Sequence, residues 1–148
     1  MPSTLHFYEM GLGHIDGQAM LTTSNGEENI SIRTLEYLLK ENGDIGKQIT
    51  YLKIDVEGSE VWSLSNWLRT KVLKNVEQLG IEMHTANSII DKSKVKVWFP
   101  KLIAFFQTIL DKYGLVLTAY NPNLCQDKGH DGQRTYYSYH DALFVKAY

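Results

Sequence analysis

Five acid–base side chains fall in two short stretches of this sequence. Asp55, Glu57 and Glu60 lie in Ile54-Asp55-Val56-Glu57-Gly58-Ser59-Glu60, and Glu82 and His84 lie in Ile81-Glu82-Met83-His84. Each group emerges at the end of an apolar run. The first run, Ile49 to Val56, carries Tyr51, Leu52 and Ile54, and the second carries Leu79, Ile81 and Met83. The first reads as a buried parallel strand and the second as its neighbour. Parallel neighbours end on the same side of a sheet, and open α/β sheets bind ligands outside those ends. Asp55, Glu57, Glu82 and His84 are therefore expected to meet in one crevice as the candidate catalytic set. Three carboxylates and an imidazole there can orient a nucleophilic hydroxyl, remove its proton or hold a divalent cation. Which of these applies, metal included, stays open at this point. So do the plainer readings. An Asp-x-Glu-Gly turn can cap the helix that follows it. Glu60 reads as a first-turn residue favoured by the helix dipole, and a hydrogen-bonded histidine is ordinary at a strand end.

The elements that must position these residues follow from periodicity. Leu5, Phe7 and their neighbours alternate as a strand up to Met10, and Gly11 and Gly13 end it. The stretch from Asp16 to Asn29 is rich in Gly, Ser, Thr and Asn and reads as loop. Thr34 caps a short helix carrying Leu35, Leu38 and Leu39, which Asn42-Gly43 stops. After the first acidic turn, Val61, Trp62, Leu64, Trp67 and Leu68 recur at near-helical spacing, and both tryptophans read as core. The longest helical pattern runs from Val95 to Tyr113, with Pro100 in its first turn and Gly114 as its stop. Its expected buried side is Leu102, Ile103, Phe105, Phe106, Ile109 and Leu110. Leu115 to Tyr120 and Ala142 to Val145 read as the last strands. Asn121-Pro122-Asn123 and a polar loop lie between them, so they are expected to pair antiparallel. Strands alternating with helices predict an α/β sheet. The 148 residues form one domain with no internal boundary.

Composition narrows the partners. Hydrophobic residues make up 43% and charged residues 22%, which is the balance of a globular chain rather than a disordered one. The formal net charge of −2 argues against a nucleic-acid binder. Lys92, Lys94, Lys96 and Lys101 cluster without a matching aromatic platform around them and read as a solvated helix face. Cys125 is the single cysteine, so neither an intrachain disulfide nor a thiolate metal cage is available. No apolar run has the length of a signal peptide or a membrane span. Cytoplasmic localisation is the default expectation.

Tyr51-Leu52-Lys53-Ile54-Asp55-Val56-Glu57-Gly58-Ser59-Glu60 resembles the most characteristic motif of FkbM-type S-adenosylmethionine-dependent methyltransferases, in particular their animal methyltransferase-like branch. Gln78-Leu79-Gly80-Ile81-Glu82-Met83-His84 is similar to the strand after that motif. Ala119-Tyr120-Asn121-Pro122-Asn123 and Ala142-Leu143-Phe144-Val145-Lys146 are similar to the last two strands, and His6 to Gly13 to a segment two elements before the motif. The resemblance implies a Rossmann-like sheet, mostly parallel with an antiparallel C-terminal strand pair. It implies methyl transfer, by family an O-methylation, with S-adenosylmethionine as cofactor and an unidentified methyl acceptor.

The family's cofactor turn is a strand, a Gly-rich bend and a helix. Glu9-Met10-Gly11-Leu12-Gly13 offers an E-x-G-x-G pattern, which makes Gly11 and Gly13 the cofactor-binding candidates. No helical period follows them, however, and no second strand with a terminal acid precedes the Leu35 helix. The resemblance thus implies a partial domain lacking the first strand–helix units, with S-adenosylmethionine binding by this chain in doubt. A sheet so shortened has an exposed edge through which copies can associate. A non-catalytic α/β interaction module derived from a methyltransferase is the alternative reading.

Overall fold

The computed structural model describes residues 6–23, 26–56, 58–84, 92–122, 128–130, 135–137 and 139–147. They form an α/β structure with mixed sheets and three helices. The central sheet holds β4 (Leu52–Ile54), β5 (Gln78–His84), β6 (Leu115–Pro122) and β9 (Tyr139–Lys146) in the order β4-β5-β9-β6. β4 and β5 are parallel, in register Leu52↔Leu79, Lys53↔Gly80 and Ile54↔Ile81. β9 lies antiparallel between β5 and β6. The apolar run before Asp55 contributes only three residues to β4, and an isolated parallel bridge between Ile49 and Val76 extends the alignment backwards. Because β4 and β5 run the same way, Asp55 and His84 leave the sheet at the same end, and the first residues of β9 face that end from the antiparallel side.

Helices α1 (Leu35–Glu41), α2 (Glu60–Thr70) and α3 (Lys92–Tyr113) supply the rest of the core. Thr34 caps α1: its Oγ1 accepts the Tyr37 N–H at 3.3 Å, and Gly43, at φ +66°, ends the turn after it. From α2, Val61, Leu64 and Trp67 are buried against Ile54, Leu79, Ile81 and Met83 of the sheet. Trp67 meets Phe105 of α3 edge-on with ring centroids 6.3 Å apart. Trp62 does not join this core. It is 58% exposed, with His14 beside it at 6.2 Å between ring centroids, because one step along α2 turns it away from the sheet.

Two features of α3 also differ from expectation. It begins before Val95, so Pro100 lies inside the helix rather than in its first turn, where it removes one backbone donor. Phe105 and Ile109 are buried, Leu102 and Phe106 are partly buried, and Ile103 and Leu110 are exposed. The core-facing stripe is narrower than the apolar residues suggest. No helix among the described residues is long and apolar enough to cross a membrane.

The N-terminal part departs most from the sequence reading. The described residues before Gly11 are irregular, and β1 is the short pair Gly11–Leu12. The expected loop is instead an antiparallel hairpin, β2 (Gly17–Thr23) with β3 (Gly26–Arg33), paired from Gly17↔Ile32 to Thr23↔Gly26. β1 runs parallel to β3 at Gly11↔Ile32. The polar stretch after Pro122 likewise contains a small hairpin, β7 (Lys128–His130) with β8 (Thr135–Tyr137). The β2–β3 ribbon is held mainly by its backbone ladder, and β3 is exposed from Gly26 to Asn29, so composition reads this stretch as loop.

Candidate functional site

The β4–α2 connection turns at Gly58, whose φ of +101° lies where a side chain is disfavoured. The turn is closed by a Ser59 N–H donated to the Val56 carbonyl at 3.1 Å. Glu60, the first residue of α2, is fully buried and folds back over this turn. Its Oε1 accepts the Val56 N–H at 2.8 Å and its Oε2 accepts the Gly58 N–H at 3.0 Å. The same Oε1 lies 2.9 Å from His84 Nδ1 at the end of β5. The imidazole is 9% exposed and meets the ring of Tyr139 edge-on at 5.0 Å. Its Nε2 lies 3.8 Å from Oδ1 of Asp55, whose side chain is 40% exposed and opens the cluster to solvent.

A second layer of charge adjoins the first. Glu82, two residues before His84 on β5, stands directly across from Asp141 of β9. Lys53 of β4 reaches over Gly80 to both, 3.5 Å from Asp141 Oδ1 and 4.0 Å from Glu82 Oε2. Burial raises the carboxyl of Glu82 above its ordinary value, and the charges of Asp55 and Asp141 push it further up, against the opposing pull of His84 and Lys53. Like charges placed across an antiparallel pair are unfavourable. Lys53 offsets only part of that here.

The structure brings Asp55, Glu82 and His84 to the ends of β4 and β5. Glu57 lies outside the described residues. Glu60 reads from spacing as a dipole-favoured residue, and it does occupy the first turn of α2. It is also the side chain to which the turn and the histidine are tied. The usable signal is Glu60's place two residues after a glycine that closes a tight turn. Asp141 and Lys53 are further members that spacing does not reveal, since they come from other strands. Asp55, Glu60 and His84 each bring a potential metal-ligand atom within 4.8 Å of the others. Glu60 Oε1 is already engaged by Val56 and His84.

Gly11 begins β1 and Gly13 follows it, outside the central sheet. Neither has a positive φ, and a Cβ on either would stand 3.3 Å from an isoleucine side chain, Ile30 for Gly11 and Ile32 for Gly13. The described residues that follow them lead into the β2–β3 hairpin rather than a helix. The backbone at these glycines is packed against β3 and is not an open cradle for a dinucleotide-like ligand.

A family model described as Methyltransferase FkbM domain matches residues 6–114, a stretch that contains β4, α2, β5 and the Asp55–Glu60–His84 cluster. No curated protein and no solved structure matches the chain.

Proposed function

Because this chain belongs to the FkbM methyltransferase domain family, we propose that it carries the acceptor side of a methyl-transfer site and that the acceptor is a hydroxyl. The observation that supports this reading is the buried Glu60–His84 pair opening onto Asp55 at adjacent strand ends, which places one imidazole nitrogen at a solvent-facing carboxylate. An acceptor hydroxyl in front of Asp55 and His84 gives its proton to His84 Nε2 as its oxygen is methylated. Asp55, 3.8 Å away, stabilises the resulting imidazolium.

S-adenosylmethionine is the methyl donor the family implies. Gly11 and Gly13 do not fit a cradle for it, so no residue of this chain is assigned to the donor. That misfit also favours a second reading, in which the domain has kept the sheet and serves as an interaction module.

The two readings separate in one experiment. S-adenosylmethionine with a labelled methyl group is incubated with the protein and a panel of hydroxyl-bearing acceptors, and its binding is titrated calorimetrically in parallel. Methyl transfer that disappears in Asp55→Ala is the expected result. Absence of both binding and transfer would leave the interaction module as the function.

A further inference from the structure

We propose that the cavity between α3 and the β9–β6 half of the central sheet binds a small phenol, a single aromatic ring carrying a hydroxyl. This goes beyond the methyl-transfer reading and does not depend on it. The cavity has a volume of about 240 Å3. Leu102 and Phe106 of α3 line it on one side, and Leu117, Tyr120, His140 and Phe144 line it from the sheet.

A β-bulge shapes the sheet side. Leu117 and Tyr120 are three residues apart, so an unbroken strand would send them to opposite faces. The register of β6 against β9 shifts between Leu117 and Ala119, with Thr118 as the extra residue. The shift sets Leu117 opposite Phe144 and Tyr120 opposite Ala142, and cross-strand partners share a face. Both β6 side chains thus turn to the face on which Ala142 and Phe144 are buried. Leu117 is nevertheless 52% exposed and Tyr120 56%, against 3% and 8% for their partners. Burial stops between β9 and β6, and the cavity lies there.

The lining selects a ring. Phe106 stacks on Phe144 with centroids 5.2 Å apart at 27°, and Tyr120 stacks on His140 at 5.7 Å and 18°. Two stacked pairs border one cavity, so a flat guest meets aromatic surface from both. A cavity of about 150 Å3 holds benzene, so this one has room for a ring and a small substituent. The Tyr120 hydroxyl selects the substituent. It lies 2.6 Å from His140 Nδ1. A phenol has one donor and two acceptor lone pairs, and that contact uses one of the three whichever atom holds the proton. Partial desolvation raises the Tyr120 phenol above its ordinary value, so the hydroxyl is intact at neutral pH. It can therefore bind a guest hydroxyl without giving up His140. A gap left by loose packing would take apolar molecules and be indifferent to this hydroxyl.

The test titrates 4-methylphenol, toluene and 1-hexanol into the intact protein and follows the methyl signals of the lining residues Met83, Leu102 and Leu117 by 1H–13C correlation NMR. 4-Methylphenol should shift all three signals to saturation. Tyr120→Phe should weaken its binding by about fivefold, the net worth of one hydrogen bond, and leave toluene unchanged. Leu117→Trp, at a half-exposed position, should fill the cavity and abolish binding of both. No saturable shift at Met83 and Leu102, or saturation that persists in Leu117→Trp, would overturn the site. An unchanged affinity of 4-methylphenol for Tyr120→Phe, or an equal loss for toluene, would reduce the cavity to a packing gap. 1-Hexanol bound as tightly as 4-methylphenol would overturn the assignment of a ring. If Leu117→Trp does not fold, the comparison of the two aromatic probes on Tyr120→Phe still decides.

Discussion

Glu82 is the residue on which the surrounding charge weighs most directly. Burial raises its carboxyl first, and Asp55 and Asp141 add to the rise. The folded protein therefore holds the Glu82 proton more tightly than the unfolded chain does. An acid of this kind favours folding while it is protonated, and that contribution fades as pH climbs from the ordinary carboxyl value through the raised one. Glu82→Gln should consequently raise the melting temperature at neutral pH. The advantage should vanish below pH 4.5, the ordinary value of this carboxyl, where wild type is protonated in both states. Melting curves of the two proteins across that range check this, and a gap that widens toward acid would contradict it. Asp55 is expected to behave differently. Its side chain is partly exposed, and at 3.8 Å its contact with His84 Nε2 is too long for a hydrogen bond. Asp55→Ala should leave the melting temperature within about 0.5 kcal/mol of wild-type stability while removing methyl transfer. Retained turnover with a lowered melting temperature would make Asp55 structural. Apolar runs followed by acids announce Asp55, Glu82 and His84 in the sequence. Glu60 is not announced in that way, because no linear spacing shows a first-turn side chain folding back past its own helix to β5.

At the scale of elements, the site depends on the five-residue connection from Val56 to Glu60. Its geometry requires the left-hand backbone at Gly58 and the two amides that Glu60 accepts. Gly58→Ala forces a Cβ into that conformation at a cost of roughly 1–3 kcal/mol. No atom within 4 Å would clash with the new Cβ, so the penalty is conformational and the fold should survive. The expected outcome is a lower melting temperature together with weakened definition of the His84 ring signals, since the Gly58 amide no longer holds Glu60 Oε2 in place. Unchanged stability would show that the turn tolerates other backbones. Elements that bury one face were legible in the sequence. α1 carries its Thr34 cap and Gly43 stop, and β5 alternates through Leu79, Ile81 and Met83. The β2–β3 hairpin was not legible, because its described residues are mostly exposed or half-exposed and backbone pairing holds them. Pro100 misleads for a related reason. A proline tolerated inside α3 carries the same local signal as one at a helix start, so it does not show that the helix already begins at Lys92.

For the molecule as a whole, the central sheet has β6 at one edge and β4 at the other. Among the described residues β4 pairs only with β5, so its outer row of backbone groups has no strand beside it. Edge strands of soluble proteins are commonly guarded by charge, lysine above all. β4 has one, Lys53, but its ammonium is drawn inward across Gly80 to Asp141 and Glu82 and does little to guard the edge. Tyr51, just before the strand, is 53% exposed, and its hydroxyl lies over Gly80, whose missing side chain leaves the room. Helices α2 and α3 pack on the side of the sheet where Leu79, Ile81 and Met83 are buried. The unpaired backbone of β4, with the exposed ring of Tyr51 beside it, favours association by strand addition. The chain is therefore expected to self-associate as its concentration rises. Tyr51→Lys should weaken that association, because the new charge stands beside the edge without an acidic partner already committed to it. Sedimentation velocity across a concentration series measures both proteins directly. A monodisperse monomer at every concentration would mean that β4 is covered or too short to template pairing. Equal association in the two proteins would place the contact elsewhere on the surface.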